Sequence, residues 1–332
     1  MPDAGAKRRL GWAGAVFVFL LAIFWAIARF FHVPALLDHP VSTTVSFAVL
    51  FAPYWFFGFG AARLVREWLP KSAVRVCAAS LLTLPYPLLS VARGEFHWQM
   101  MAALLFICIG VSALLAYAQK PGNWADVVVL AVVGLLIDLG LLGTAWPVGP
   151  ARAMMWPAGL GGFPKMMMAN LALYGYLVIK PLDGIGYDLM PKKEDFKVGL
   201  REFLYYAPIV LVLGFAMGFI GWQGRQAHVE QFPAAWVFTF CFVALPEELF
   251  FRGLIQNLLE RKMGRTAALL LASLLFGLSH FNKRAVFNWR YVILATIAGI
   301  FYGRAWRERR RLFASSVTHA TVDAVWSIWF RI

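Results

Sequence analysis

Charge is scarce in this chain. Asp, Glu, Lys and Arg make up 14% of its 332 residues, against about 25% in an ordinary soluble domain. Apolar residues take up the difference at 61%, where soluble proteins carry about 45–50%. Those two values exclude a soluble globular enzyme and point to an integral membrane protein. Cysteine is scarce as well. Cys77, Cys108 and Cys241 are odd in number, far apart and embedded in apolar stretches. That excludes a disulfide framework and a thiolate metal site. No internal repeat and no low-complexity segment is visible. A His-Glu-x-x-His helix, the signature of many zinc proteases, is missing too.

What is present is a succession of apolar stretches. A membrane helix needs about 20 such residues. Candidates lie near 11–31, 42–62, 74–92, 98–118, 125–146, 155–180, 202–221, 234–256, 266–282, 290–304 and 312–330. The expected fold is therefore all-α, a polytopic transmembrane helix bundle of roughly ten or eleven spans. The sixth stretch carries Gly159, Gly161, Gly162, Pro164 and Lys165 and reads as a broken or re-entrant segment. The first follows a basic segment, Lys7-Arg8-Arg9, without a clear small-x-small cleavage site, and reads as a retained signal anchor. The 14 Trp and 29 Phe suit lipid contact and interfacial belts.

Net charge is +14, which raises nucleic acid as a partner. Topology accounts for it better. With a cytoplasmic N-terminus and alternating spans, about two-thirds of the Lys and Arg fall on the cytoplasmic side, as the positive-inside rule requires. Arg63, Arg66, Lys71, Arg75, Lys192, Lys193, Lys197, Arg201, Arg307, Arg309, Arg310 and Arg311 are among them. The expected setting is the cell (inner or plasma) membrane, with lipid as a partner and no nucleic acid. One outer loop, with Lys283, Arg284 and Arg290, breaks the pattern.

The longest polar segment, 181–200, divides the chain. Residues 1–190 are expected to form an N-terminal transmembrane extension of unknown role, with almost no buried ionisable residue; Asp138 is the exception. Residues 191–332 are expected to form the working domain. Ionisable groups at bilayer depth are costly unless they pair or line a wet cavity, and this second part holds several. Glu247 and Glu248 are followed by Arg252. Glu248 and Arg252 share a helix face at i,i+4 and can pair, whereas Glu247 has no local partner and is the better general base. Pro246 suits a helix start or kink. His280 ends one span, with Phe276 on its face at i,i+4. His319 and Asp323 share a face of the last span, so Asp323 can accept from the imidazole and fix its tautomer. His32, His39, His97 and His228 fall in outer loops or at their edges. Carboxylates and imidazoles together are the parts of acid-base hydrolysis.

In order and on separate helices, Glu-Glu-x-x-x-Arg at 247–252, Phe-x-x-x-His at 276–280 and His-x-x-x-Asp at 319–323 resemble the CAAX protease and bacteriocin-processing (CPBP or Abi) family of intramembrane proteases. That family includes the type II CAAX prenyl endopeptidases. The resemblance covers roughly residues 200–330. It implies a glutamic-type endopeptidase in which Glu247 and His280 hold and deprotonate water, with Glu248 beside them. His319 would stabilise the oxyanion with its neighbour four residues on. In the family that neighbour is often Asn; here it is Asp323, and an ionised carboxylate cannot donate to an oxyanion. Arg252 would be the structural arginine and Phe276 an orienting residue. The substrate expected is a membrane-tethered peptide or protein: a prenylated tail, a sorting tail or a leader peptide. No cofactor is expected. Zinc held by Glu247, His280 and His319 is the alternative chemistry. The alternative functions are a proton-coupled membrane transporter and a non-catalytic membrane scaffold.

Overall fold

The computed structural model describes residues 4–30, 39–138, 142, 163–223, 228–283 and 287–331. Among these, helices dominate, and the β-structure is one antiparallel pairing of Gly221–Trp222 with Phe330–Arg331. The all-α bundle is thus the observed fold class. Five helices among the described residues are long and apolar enough to cross a membrane: Pro40–Phe57, Ser72–Ser90, Trp98–Tyr117, Lys193–Ala216 and Val229–Met263. Two shorter apolar helices, Trp124–Ile137 and Arg265–Leu278, accompany them. Residues 155–162 of the sixth stretch and the side chain of Asp138 lie outside the described residues; residues 163–179 are helical.

The chain separates into two compact units, Met1–Leu182 and Asp183–Ile332. The first contains α1 (Ala4–Phe30), α2 (Pro40–Phe57), α3 (Ala61–Trp68), α4 (Ser72–Ala78), α5 (Pro85–Ser90), α6 (Trp98–Tyr117), α7 (Trp124–Asp138) and α8 (Phe163–Tyr174). A 3₁₀ turn over Ala79–Thr83 joins α4 to α5. This unit does hold buried ionisable residues, contrary to the expectation. Lys180 Nζ lies 2.8 Å from Asp126 Oδ1, with both side chains 2% exposed. Tyr176 donates to the same oxygen, and Asp126 Oδ2 accepts from the Gly122 and Asn123 amides. The two residues are distant in sequence, so no local spacing announces the pair. Satisfying every oxygen is what makes such a pair tolerable away from water.

The second unit is built from α9 (Lys193–Ala216), a long irregular helix from Phe232 to Met263, α13 (Arg265–Leu278), α14 (Trp289–Arg309) and α15 (Leu312–Trp329). The irregular helix is composed of α10 (Phe232–Thr239), α11 (Leu245–Glu248) and α12 (Asn257–Met263), separated by π-helical stretches over Phe240–Ala244 and Leu249–Gln256. Pro246 explains the irregularity. It has no N–H to give and its ring crowds the preceding turn, so the helix continues by widening.

α15 lies at the centre. Ala314, Ser315, Ser316, Thr318, Ala320 and Ala324 on it are wholly buried, so these polar residues face protein and not lipid. Close approach of its neighbours follows from small residues. A Cβ on Gly199 of α9 would stand 2.6 Å from the Val317 side chain of α15. On α14, Ala295, Gly299 and Gly303 repeat every four residues; a Cβ at Gly303 would meet Leu269 Cδ1 at 2.3 Å. On α13, one at Gly277 would meet Thr296 Oγ1 at 1.9 Å. Outward, α9 presents Leu200, Leu204, Ile209, Val212 and Phe215, and α13 presents Leu270, Leu274 and Leu278, all well exposed. Such stripes are unfavourable in water and at home in a bilayer.

The segment 183–192 packs into this unit. Arg311, at the head of α15, binds Asp195 Oδ1 and Oδ2 at 3.0 and 2.9 Å. It also donates to the Asp188 carboxylate and to the carbonyls of Asp188 and Met190. Gly186, at φ +76°, sits where a side chain would strike the Arg310 carbonyl, and its own carbonyl accepts from Leu312 N at 2.9 Å.

Candidate active site

Glu247 and Glu248 are neighbours in the α-helical stretch Leu245–Glu248 and so face different directions. Glu248 is completely buried, whereas 20% of the Glu247 side chain is exposed. Glu248 Oε1 accepts from Arg252 Nη1 at 3.1 Å, the i,i+4 pair expected from the sequence. It also accepts from His319 Nδ1 at 2.8 Å. A carboxylate can only accept, so Nδ1 carries the proton. Arg252 in turn donates through Nη2 to the Gly299 carbonyl at 3.0 Å. Its guanidinium lies 4.6 Å from the Phe276 ring and 5.3 Å from the Tyr302 ring. Arg252 thereby ties its own helix to α13 and α14, and Glu248 links it to His319 on α15.

His319 is fixed on three sides. Glu248 holds Nδ1, Tyr302 stacks on the ring at 4.5 Å and 16°, and Phe276 meets it edge-on at 5.6 Å. Its Nε2 looks toward Glu247 Oε2 at 3.9 Å and Asp323 Oδ2 at 3.6 Å. Asp323 is therefore beyond hydrogen-bond distance. Asp323, expected to orient the ring, acts on the Nε2 side, and the contact of hydrogen-bond length is made on Nδ1 by Glu248, which reaches His319 from another helix. Acceptor oxygens stand on both sides of the imidazole, an arrangement that suits a ring donating from both nitrogens.

His280 closes α13. Its Nδ1 donates to the Phe276 carbonyl at 2.8 Å, with Ser279 Oγ 3.2 Å away. A carbonyl cannot donate, so the proton sits on Nδ1 and the Nε2 lone pair is free to accept. Phe276 and Tyr291 pack on the ring with centroids at 4.8 and 4.6 Å. The charges of Glu247 and His319 both act on this ring, which brings the third motif residue into the same cluster. Glu247 is not isolated, as its lack of a local partner suggested. Lys283 Nζ lies 3.9 Å from its Oε1.

Glu247, Glu248, Arg252, Phe276, His280, His319 and Asp323 are thus brought together by three helices of one unit. Residues that the sequence reading passed over are Tyr302 and Tyr291, which grip the two imidazoles, and Lys283. Tyr302 could have been found from α14's four-residue small-residue repeat, which places its neighbour Gly303 against α13. Among the described residues, no three or more His, Cys, Asp or Glu side chains are grouped as a metal site would group them.

Residues 229–325 match the family model described as Rce1-like, type II CAAX prenyl endopeptidase Rce1-like. The resemblance read from the three motifs holds over that segment, which includes every residue of the cluster. No curated protein and no solved structure matches the chain.

Proposed function

We propose, with that family match as the premise, that the second unit is an intramembrane endopeptidase that hydrolyses a membrane-tethered peptide with water activated by Glu247. The observation that carries the reading is the division of labour between adjacent glutamates. Glu248 is sealed in and spends its Oε1 on Arg252 and His319. Glu247 remains partly exposed, 3.9 Å from His319 Nε2, and is the carboxylate that water can reach.

The chemistry follows from the donor and acceptor assignments. Water donates one hydrogen to Glu247 and the other to the Nε2 lone pair of His280. Its oxygen attacks the scissile carbonyl carbon as its proton passes to Glu247. Negative charge gathers on the carbonyl oxygen, and the His319 Nε2–H donates to it; donors aimed at developing charge are usually the largest single contribution. Glu247 then passes its proton to the amide nitrogen, the C–N bond breaks, and carboxylic acid and amine leave; the acid's proton passes to the amine, giving carboxylate and ammonium. No metal is needed at any step. Asp323 sits beside the oxyanion donor and tunes it by charge. The membrane expected to hold the protein is the cell membrane, with the N-terminus cytoplasmic.

The family description makes a prenylated peptide the first substrate to try. The experiment is to reconstitute the chain in liposomes with such a peptide in ¹⁸O-enriched water and weigh the products. The reading expects one ¹⁸O in the newly formed carboxylate. Absence of cleavage across prenylated, leader and sorting-tail peptides would overturn it.

A further inference from the structure

We infer that Lys283 determines specificity by receiving the free C-terminal carboxylate of the substrate peptide, an assignment that rests on the protease reading above. Lys283 closes the turn that follows His280. Its amide donates to the His280 carbonyl at 3.2 Å, and its carbonyl accepts from Asn288 Nδ2 at 3.3 Å. The backbone is pinned while the side chain stays 38% exposed, with Nζ 3.9 Å from Glu247 Oε1. Its charge also acts on His280. An ammonium therefore stands at the open edge of the cluster, beside both groups that would handle the water.

Lys283 falls in the one loop whose basic residues run against the positive-inside pattern expected from the sequence. Its chemistry suits a carboxylate. The group it already faces is a carboxylate, at a distance longer than a hydrogen bond, so a guest carboxylate can take the closer position. Lysine offers a compact charge on a flexible stem, where arginine would offer a rigid fork. A guest carboxylate there balances the ammonium and leaves Glu247 to the water. An extended peptide covers about 3.3–3.6 Å per residue. The carboxylate must then lie within a few residues of the scissile bond.

The test uses three farnesylated peptides identical up to a Cys-Val-Ile-Met end: one with the free acid, one with a terminal amide, one extended by several glycines. Cleavage is measured with the parent chain, Lys283→Met and Lys283→Arg in liposomes. Binding is measured with the Glu247→Gln chain, with and without Lys283→Met. The parent is expected to prefer the acid over the amide and the extended peptide by roughly tenfold or more in kcat/KM, the scale of one charge-assisted hydrogen bond. Lys283→Met should bring that ratio close to one, and Lys283→Arg should keep most of it. An unchanged ratio in Lys283→Met would overturn the assignment, as would equal losses on all three peptides. So would a loss that follows the anionic lipid content of the liposomes instead of the peptide terminus, which would give the ammonium to a headgroup phosphate. No cleavage, with a Lys283-dependent preference for the acid in binding, overturns the protease reading and supports the carboxylate site. Cleavage without any such preference overturns the carboxylate site alone.

Discussion

Replacing Glu248 with Gln changes one atom's charge and almost no volume, so its effect isolates electrostatics. In the folded protein Glu248 is fully buried and its Oε1 serves both Arg252 and His319. The glutamine leaves the Arg252 guanidinium, 1% exposed, without its countercharge. Removing one partner of a buried ion pair costs about 3–5 kcal/mol. For a unit of this size each kcal/mol lowers the midpoint by about 2–4 °C, so a fall of about 6–20 °C is expected. Glu247→Gln alters a side chain that is 20% exposed and whose charged neighbours Lys283 and His319 stand 3.9 Å away. It should move the midpoint by no more than about 2 °C, as a surface change would. The assay is thermal unfolding of each purified variant in the same detergent. A further arm replaces the pair as a whole. Glu248→Leu with Arg252→Met should recover much of the loss, because an apolar replacement of a buried pair is often neutral. Equal midpoints for Glu248→Gln and the parent would refute the assignment of Glu248 as the tie between Arg252 and His319. A double variant no more stable than Glu248→Gln would refute the charge argument.

Asp323→Asn should lower the rate by less than about tenfold, because Glu248 and not Asp323 holds the ring, and an amide can itself donate to an oxyanion; a loss as large as that of His319→Ala would contradict this, on the same cleavage assay. Gly277→Ala should destabilise by about 1–3 kcal/mol through overpacking of α13 on α14, since its Cβ would meet Thr296 Oγ1 and the Val292 carbonyl; an unchanged unfolding midpoint would contradict that. Purified active protein should contain no stoichiometric zinc and should keep its activity in strong chelators. Elemental analysis finding about one zinc per chain, as a catalytic site would need, lost and regained with activity, would replace the metal-free chemistry with metal-assisted hydrolysis.

Contacts within one helix were legible in the sequence, and contacts between helices were not. Glu248 with Arg252, and His280 with the Phe276 turn, follow from four-residue spacing. The same rule led to Asp323 as the holder of His319, because Asp323 is the acid four residues on. The closer acceptor, Glu248, comes from a different helix, and no spacing encodes it. The Asp126–Lys180 pair was hidden for the same reason. Pro246 signalled a disturbance but not its form. π-helical stretches stand on either side of it, and of the two adjacent glutamates one is sealed and the other reachable. α15 was expected to be a span because it is largely apolar. Its Ser315, Ser316, Thr318, His319 and Thr321 are tolerated because neighbouring helices shield them from lipid. The exposed apolar stripes of α9 and α13 mark the face that lipid covers.

The most direct test of Glu247 as the group that activates water is single-turnover cleavage by the parent, Glu247→Gln and Glu248→Gln chains, each shown to be folded at the assay temperature. Glu247→Gln is expected to keep the parent's unfolding midpoint and lose at least about 10²–10⁴ in rate, the contribution of a general base. A folded Glu247→Gln chain that cleaves within a few-fold of the parent would contradict the account.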